Sequence, residues 1–273
     1  MIDGHAHSCG SLMTADGIRT YLERNHIERI ILCGGEAGSK HNYRYPLLSD
    51  VIKEDRVDRF VNGMIATAIR IAGFANHFDE ENERVWQLHQ ELPEQVWNAY
   101  WANPLEEDCL DKMDQFYREK GFVMVKLHQC WTDFDIDSEV AGRIFAWAGE
   151  KNLPVFIHLK NYKQAMAFAK AANKYRRSTK FVVAHLLWSG AMAAVLVGKN
   201  VWFDLSSPQL YSLSTLQFAL EHYGVGRLIL GSDMPYGTRN TQLILKRMDQ
   251  LEISVACREQ IVKGNILNII PLL

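Results

Sequence analysis

The chain opens Met-Ile-Asp-Gly-His-Ala-His, which sets His5 and His7 two residues apart. On a strand, side chains two apart share a face. Both imidazoles can therefore turn to one point at the strand's end, as a metal ion requires. Ten histidines in 273 residues would produce an H-x-H by chance in about one chain in three, so the motif takes its meaning from the residues downstream of it. His128 ends the run Val125-Lys126-Leu127-His128, His158 follows Ile157, and His185 follows Ala184. Asp233 lies in Gly-Ser-Asp-Met-Pro-Tyr-Gly. Taken singly, a strand-end histidine is more often a hydrogen-bonded rim residue than a ligand, and an aspartate before a turn is often only its cap. Five strands ending in imidazole or carboxylate are not explained by packing, because such groups are rarely buried without a partner.

The elements that must position these groups can be read from the pattern of apolar residues. Short β-rich runs at 1–5, 29–33, 95–101, 122–128, 154–158, 180–185, 201–205 and 227–233 each precede a longer stretch. Helical periodicity covers 17–25, 108–120, 139–151, 162–175, 191–197 and 215–222. Runs such as 181–184 and 228–230 are continuously apolar, as strands covered on both faces are. Eight strands alternating with helices predict a (β/α)₈ barrel of TIM type, in which strand carboxyl ends form the active-site face. A doubly wound open sheet is the structural alternative. Residues 47–92 read as two helices inserted between strands 2 and 3, with 57–65 as an alternative strand. No repeat, low-complexity tract or linker divides the chain, so 1–273 is expected to be one domain.

Composition removes several classes of function. With 48% hydrophobic and 23% charged residues and a net charge of -2, no basic block invites nucleic acid or an anionic membrane. Residues 181–198 are apolar enough to suggest a membrane span, but they contain His185, Ser189 and two glycines and read as a buried βα unit. The N-terminus lacks the charged and apolar regions of a signal peptide. Five scattered cysteines without a C-x-x-C argue for a reducing, cytoplasmic setting and against a thiolate zinc site. Cys9 and Cys130 fall near the strand ends and read as packing residues. The glycine-rich loop 34–38 matches no nucleotide-binding motif.

Taken in order, His5-Ala-His7, Val125-Lys126-Leu127-His128, Ile157-His158, Ala184-His185, Leu230-Gly231-Ser232-Asp233-Met234-Pro235 and Gly264-Asn265 make the whole chain resemble the amidohydrolase superfamily, specifically amidohydrolase-related family 2. The resemblance implies a distorted barrel and a metal-dependent hydrolase or decarboxylase. It also implies that His5, His7, His158 and Asp233 hold a divalent ion, with Zn²⁺ preferred and Mn²⁺ second. Asp233 and His185 would be the catalytic pair, with His185 also a candidate ligand of a second ion. Lys126 would bridge that second ion if carboxylated; otherwise it is an ammonium facing an acidic group. A homodimer is a family-level expectation. The sequence departs from the family's Ala-His-Leu-Gly-Gly, reading Leu187-Trp188-Ser189-Gly190 after Leu186, so relatives' substrates do not transfer.

The leading expectation is hydrolysis of an amide, ester or lactone bond by a metal-activated water, with Asp233 as proton acceptor. A non-oxidative decarboxylase on the same ligands is the alternative, and a catalytically silent metal-binding barrel is the reading from another class. His128, Arg44, Arg239, Trp131 and Tyr236 are the candidate substrate contacts. Basic and aromatic groups together suggest a small organic acid, aromatic or cyclic.

Overall fold

The computed structural model describes residues 1–47, 49, 60, 62, 63, 67 and 78–271. Eight parallel strands form one sheet in sequence order: β1 (Ile2–His7), β2 (Arg29–Cys33), β3 (Val96–Trp101), β4 (Met124–His128), β5 (Val155–His158), β6 (Phe181–Val183), β7 (Val201–Asp204) and β8 (Leu228–Ile229). β1 and β3 to β6 are buried throughout. Helices Ala15–Asn25, Glu139–Glu150, Tyr162–Lys174 and Leu213–His222 begin where Thr14, Ser138, Asn161 and Ser212 side chains accept a backbone N–H of the first turn. Such caps satisfy donors that a helix start leaves unpaired.

The ring closes through irregular backbone. The register of β1 on β2 shifts between Asp3 and Ala6, and the freed groups turn to the chain after β8. Gly4 N–H donates to Leu230 O (2.9 Å), Asp233 N–H to His5 O (2.8 Å) and His7 N–H to Met234 O (2.7 Å). Gly4 is required at this approach, since a Cβ there would lie 2.9 Å from Leu230 O. The open-sheet alternative is thereby excluded, and the barrel is distorted as expected.

Side chains alternate along each strand, so one row of every strand faces the barrel interior. At the bottom these rows pack Ile31, Trp97, Met124, Phe156, Val182 and Ile229 against Ile266 and Ile269 of the last helix. At the top the same rows end in Cys33, Trp101, His128, His158 and Asp204. An apolar floor and a polar mouth are thus one periodic pattern.

Four expectations need correction in their bounds. β1 runs on to His7, which puts both histidines on the strand. β6 stops at Val183, and His185 sits in a tight turn at φ 59°. β8 stops at Ile229, leaving Asp233 in a loop at φ 58°. The helix expected over 191–197 is the short Ser189–Met192. Phe78–Glu91 is a helix, as expected for the end of the insertion; the helix expected before it lies mostly outside the described residues. The strand alternative over 57–65 falls mostly outside the described residues, of which Phe60, Asn62 and Gly63 are helical. No helix among the described residues is long and apolar enough to cross a membrane.

Asp3, which the sequence motifs do not single out, ties β1 to the mouth. Its buried carboxylate accepts from Tyr21 Oη (2.8 Å), Ser232 N–H (2.8 Å) and His5 N–H (3.3 Å). Asp3→Ala leaves these donors unpaired in the interior and should cost roughly 2–5 kcal/mol, read as a lower urea midpoint at unchanged slope.

Candidate active site

His5 and His7 face the cavity from β1, and each ring is fixed from behind. His7 Nδ1 donates to the Gly34 carbonyl (2.6 Å), leaving Nε2 3.4 Å from Asp233 Oδ1. His5 Nδ1 lies 3.3 Å from Ser206 Oγ and 3.9 Å from Asp233 Oδ1, with Nε2 2.7 Å from Lys126 Nζ. His185 Nδ1 lies 2.8 Å from the same Ser206 Oγ. Asp233 Oδ2 accepts from Ser207 Oγ at 2.5 Å. These groups come from β1, β4 and the turns after β6, β7 and β8, and all are buried.

His158 and His128 stand beside this group, their rings stacked at 4.0 Å. Asn62 donates its amide to the Leu159 and Lys160 carbonyls (3.2 Å each), so its Oδ1 must accept from His158 Nε2 at 2.9 Å. That assigns the proton to Nε2. His158 Nδ1 is then a buried lone pair, and it has no partner among the described residues.

Burial is the main influence on the rings of His5, His128, His158 and His185. It lowers all four pKa values, that of His185 to about 4, so the imidazoles are neutral. Burial alone would raise Asp233, but His185 and His7 outweigh it and hold the carboxylate ionised. Burial also opposes protonation of His7, yet Cys33 and the Asp233 contact lift it to about 9. The pocket therefore combines an ionised carboxylate, neutral imidazole lone pairs and a demand for positive charge. That donor set fits a divalent ion.

Among the described residues, three groups of donor atoms lie within 4.8 Å of one another: His5, His7 and Cys33; His5, His185 and Asp204; and His128, Cys130 and His158. The four expected ligands share one mouth, but His158 groups with His128 rather than with His5 and His7. A family model described as amidohydrolase matches residues 2–272.

The chain belongs to the amidohydrolase family.

Solved structures agree in fold at low sequence identity. A probable 2-pyrone-4,6-dicarboxylic acid hydrolase from Acinetobacter baumannii with citric acid bound superposes with a TM-score of 0.68 at 13% identity, covering 98% of both chains. An amidohydrolase from Burkholderia multivorans with bound zinc gives 0.66 at 13%, covering 99% of both. The 2,6-dihydroxybenzoate decarboxylase from Rhizobium gives 0.65 at 12%, covering 98% of this chain and 97% of that one. No curated protein matches the sequence significantly.

In this amidohydrolase the rim is aromatic. The Tyr236 ring meets His7 edge-on at 5.1 Å and stacks at 5.5 Å on Tyr43, which stacks at 5.9 Å on Tyr45. Trp131 packs 4.8 Å from Trp101 and 6.4 Å from His128. Arg44 and Arg239 are exposed, and among the described residues no hydrogen bond or ion pair joins either to the histidines. The cation that does touch them is Lys126, buried with Nζ 4.2 Å over Phe156; burial lowers its pKa. Burial pushes the Cys9 and Cys130 thiols up to about 12, so neither is a nucleophile at neutral pH.

Sequence reasoning missed Asp204, Ser206, Ser207 and Asn62. Asp204 accepts from Ser206 Oγ, lies 3.7 Å from His5 Nδ1 and 3.6 Å from His185 Nδ1, and is raised to about 7 by burial. Its signal was available. It ends β7 as His128 ends β4, and the strand-end rule applied to the histidines covers it equally.

Proposed function

We propose that this chain is a metal-dependent hydrolase opening an amide, ester or lactone bond of a small, acidic, aromatic or cyclic substrate. The observation that carries the proposal is the buried Asp233 carboxylate at the mouth of the barrel, with Oδ1 3.4 Å from His7 Nε2 and 3.9 Å from His5 Nδ1. His5, His7, His158 and Asp233 would hold the ion, and the unpartnered His158 Nδ1 supports its inclusion. Imidazole and carboxylate donors favour Zn²⁺ over Mn²⁺. When bound, a divalent ion polarises a carbonyl and acidifies a water. Asp233 accepts that water's proton and passes it to the leaving group, while His185 orients the water by accepting its other O–H at Nε2. His128, Trp131 and Tyr236 form the wall on which a planar substrate lies, and Lys126 offers the positive charge for its acidic group. The exposed Arg44 and Arg239 are left without a role in this proposal. Free, scattered cysteines suit the cytoplasmic setting included in it, and a homodimer is its assembly.

A decarboxylase on the same residues is the second reading, and the fold shared with the Rhizobium decarboxylase favours keeping it. Proton balance separates the two, because ester or lactone hydrolysis releases acid whereas loss of CO₂ from a carboxylate consumes a proton. A pH-stat assay of the zinc-loaded protein on aryl esters, lactones and hydroxybenzoates should register acid release. Base release with CO₂ evolution would move the assignment to the decarboxylase, and inertness of the loaded protein to a silent barrel. Elemental mass spectrometry should find about one ion per chain in wild type and Lys126→Ala alike. A fall from two to one in the variant would mean a bridging, carboxylated Lys126.

A further inference from the structure

Two serines follow β7, and the first touches two of the site's histidines at once. Ser206 is fully buried. Its hydroxyl donates to Asp204 Oδ2 and lies 2.8 Å from His185 Nδ1 and 3.3 Å from His5 Nδ1. A hydroxyl has one proton and two acceptor positions. Because the Asp204 carboxyl oxygens also accept from the Ser206 and His185 backbone N–H groups, Asp204 acts as the acceptor of the hydroxyl proton, Ser206 can only accept from the rings, and each ring must present Nδ1–H. A further contact agrees: His185 Nδ1 also lies 3.2 Å from the Ser206 carbonyl, which can only accept.

Asp204 is itself immobilised. Its Oδ1 accepts from Ser206 N–H (3.2 Å) and its Oδ2 from His185 N–H (3.3 Å). Gly231 makes room for it, since a Cβ there would fall 2.1 Å from Asp204 Oδ1.

We propose that Asp204 and Ser206 are positioning residues that set the tautomer of His5 and His185 together, through one shared hydroxyl, so that both Nε2 lone pairs point into the pocket. This rests on the hydrolase reading for what those lone pairs do, but not for whether they are set. Outer partners that fix a ligand's tautomer are typically worth roughly 10–100-fold in metal affinity.

The test uses full-length, metal-free protein labelled with ¹⁵N-histidine and long-range ¹H–¹⁵N correlation, which separates Nδ1–H from Nε2–H rings. Wild type should give the Nδ1–H pattern for His5 and His185. Ser206→Ala should lose it at His5, and Ser206→Thr, which keeps the hydroxyl, should retain it. Asp204→Asn serves where the alanine variant fails to fold. Its amide donates to Ser206, frees the hydroxyl proton for His5 Nδ1, and should shift His5 to Nε2–H. Zinc affinity by chelator competition should drop roughly 10–100-fold in Ser206→Ala and recover in Ser206→Thr. An Nε2–H pattern in wild type, or patterns unmoved by every variant, would overturn the proposal. The spectra need neither metal nor substrate, so an inactive protein with the expected tautomers would refute the hydrolase reading alone.

Discussion

Asp233→Asn should lower turnover by ~10²–10⁴-fold, the range for a lost general acid–base group, with the fold intact. The carboxylate sits where a proton must be taken and returned. Oδ1 is 3.4 Å from His7 Nε2, and Oδ2 is held by Ser207. An amide of the same size cannot accept that proton. The substitution is also gentle on the backbone, because position 233 has φ 58°, and asparagine is among the few residues that adopt the left-handed region readily. Steady-state kinetics beside a thermal melt check this directly. Normal turnover in a folded Asp233→Asn protein would remove the residue from catalysis.

Combined replacement of His5 and His7 by alanine should strip the site of metal, from about one ion per chain to a trace. The two rings stand on one strand with centroids 5.0 Å apart, and without them no described donor group keeps a β1 member. The barrel should survive, because closure uses the backbone of these residues: His5 O accepts from Asp233 N–H (2.8 Å) and His7 N–H donates to Met234 O (2.7 Å). Elemental analysis with far-UV circular dichroism reads both halves of the expectation. Full metal content in a folded double variant would refute the ligand assignment.

Much of this was legible in the sequence, for reasons particular to certain residues. His128 and His158 share a register pair on β4 and β5, and each ends a β-rich run, which already put it on the active-site face of a barrel. Arg44 and Arg239 show the limit of that logic. Loop position brought them near the mouth, but a loop has no period to say which way a side chain turns, and both point to solvent. Asn62 could not have been chosen at all. Its partner His158 is 96 positions away, and nothing local distinguishes an asparagine that orients a ring from one that is solvated.

By itself, the sequence determined the eight strands and the helices between them, because apolar runs and helical periodicity act over a few residues. It also determined which strand ends carry imidazole. Only the tertiary structure decided how the ring closes, which nitrogen of each imidazole faces the cavity, and that Asp3, Asp204 and Ser206 belong with the histidines. Those outcomes depend on contacts such as Ser232 N–H to Asp3, 229 positions apart, and on left-handed backbone at His185 and Asp233. Such geometry is imposed by packing around the closed barrel, where each buried polar group must find a partner that chain order does not specify.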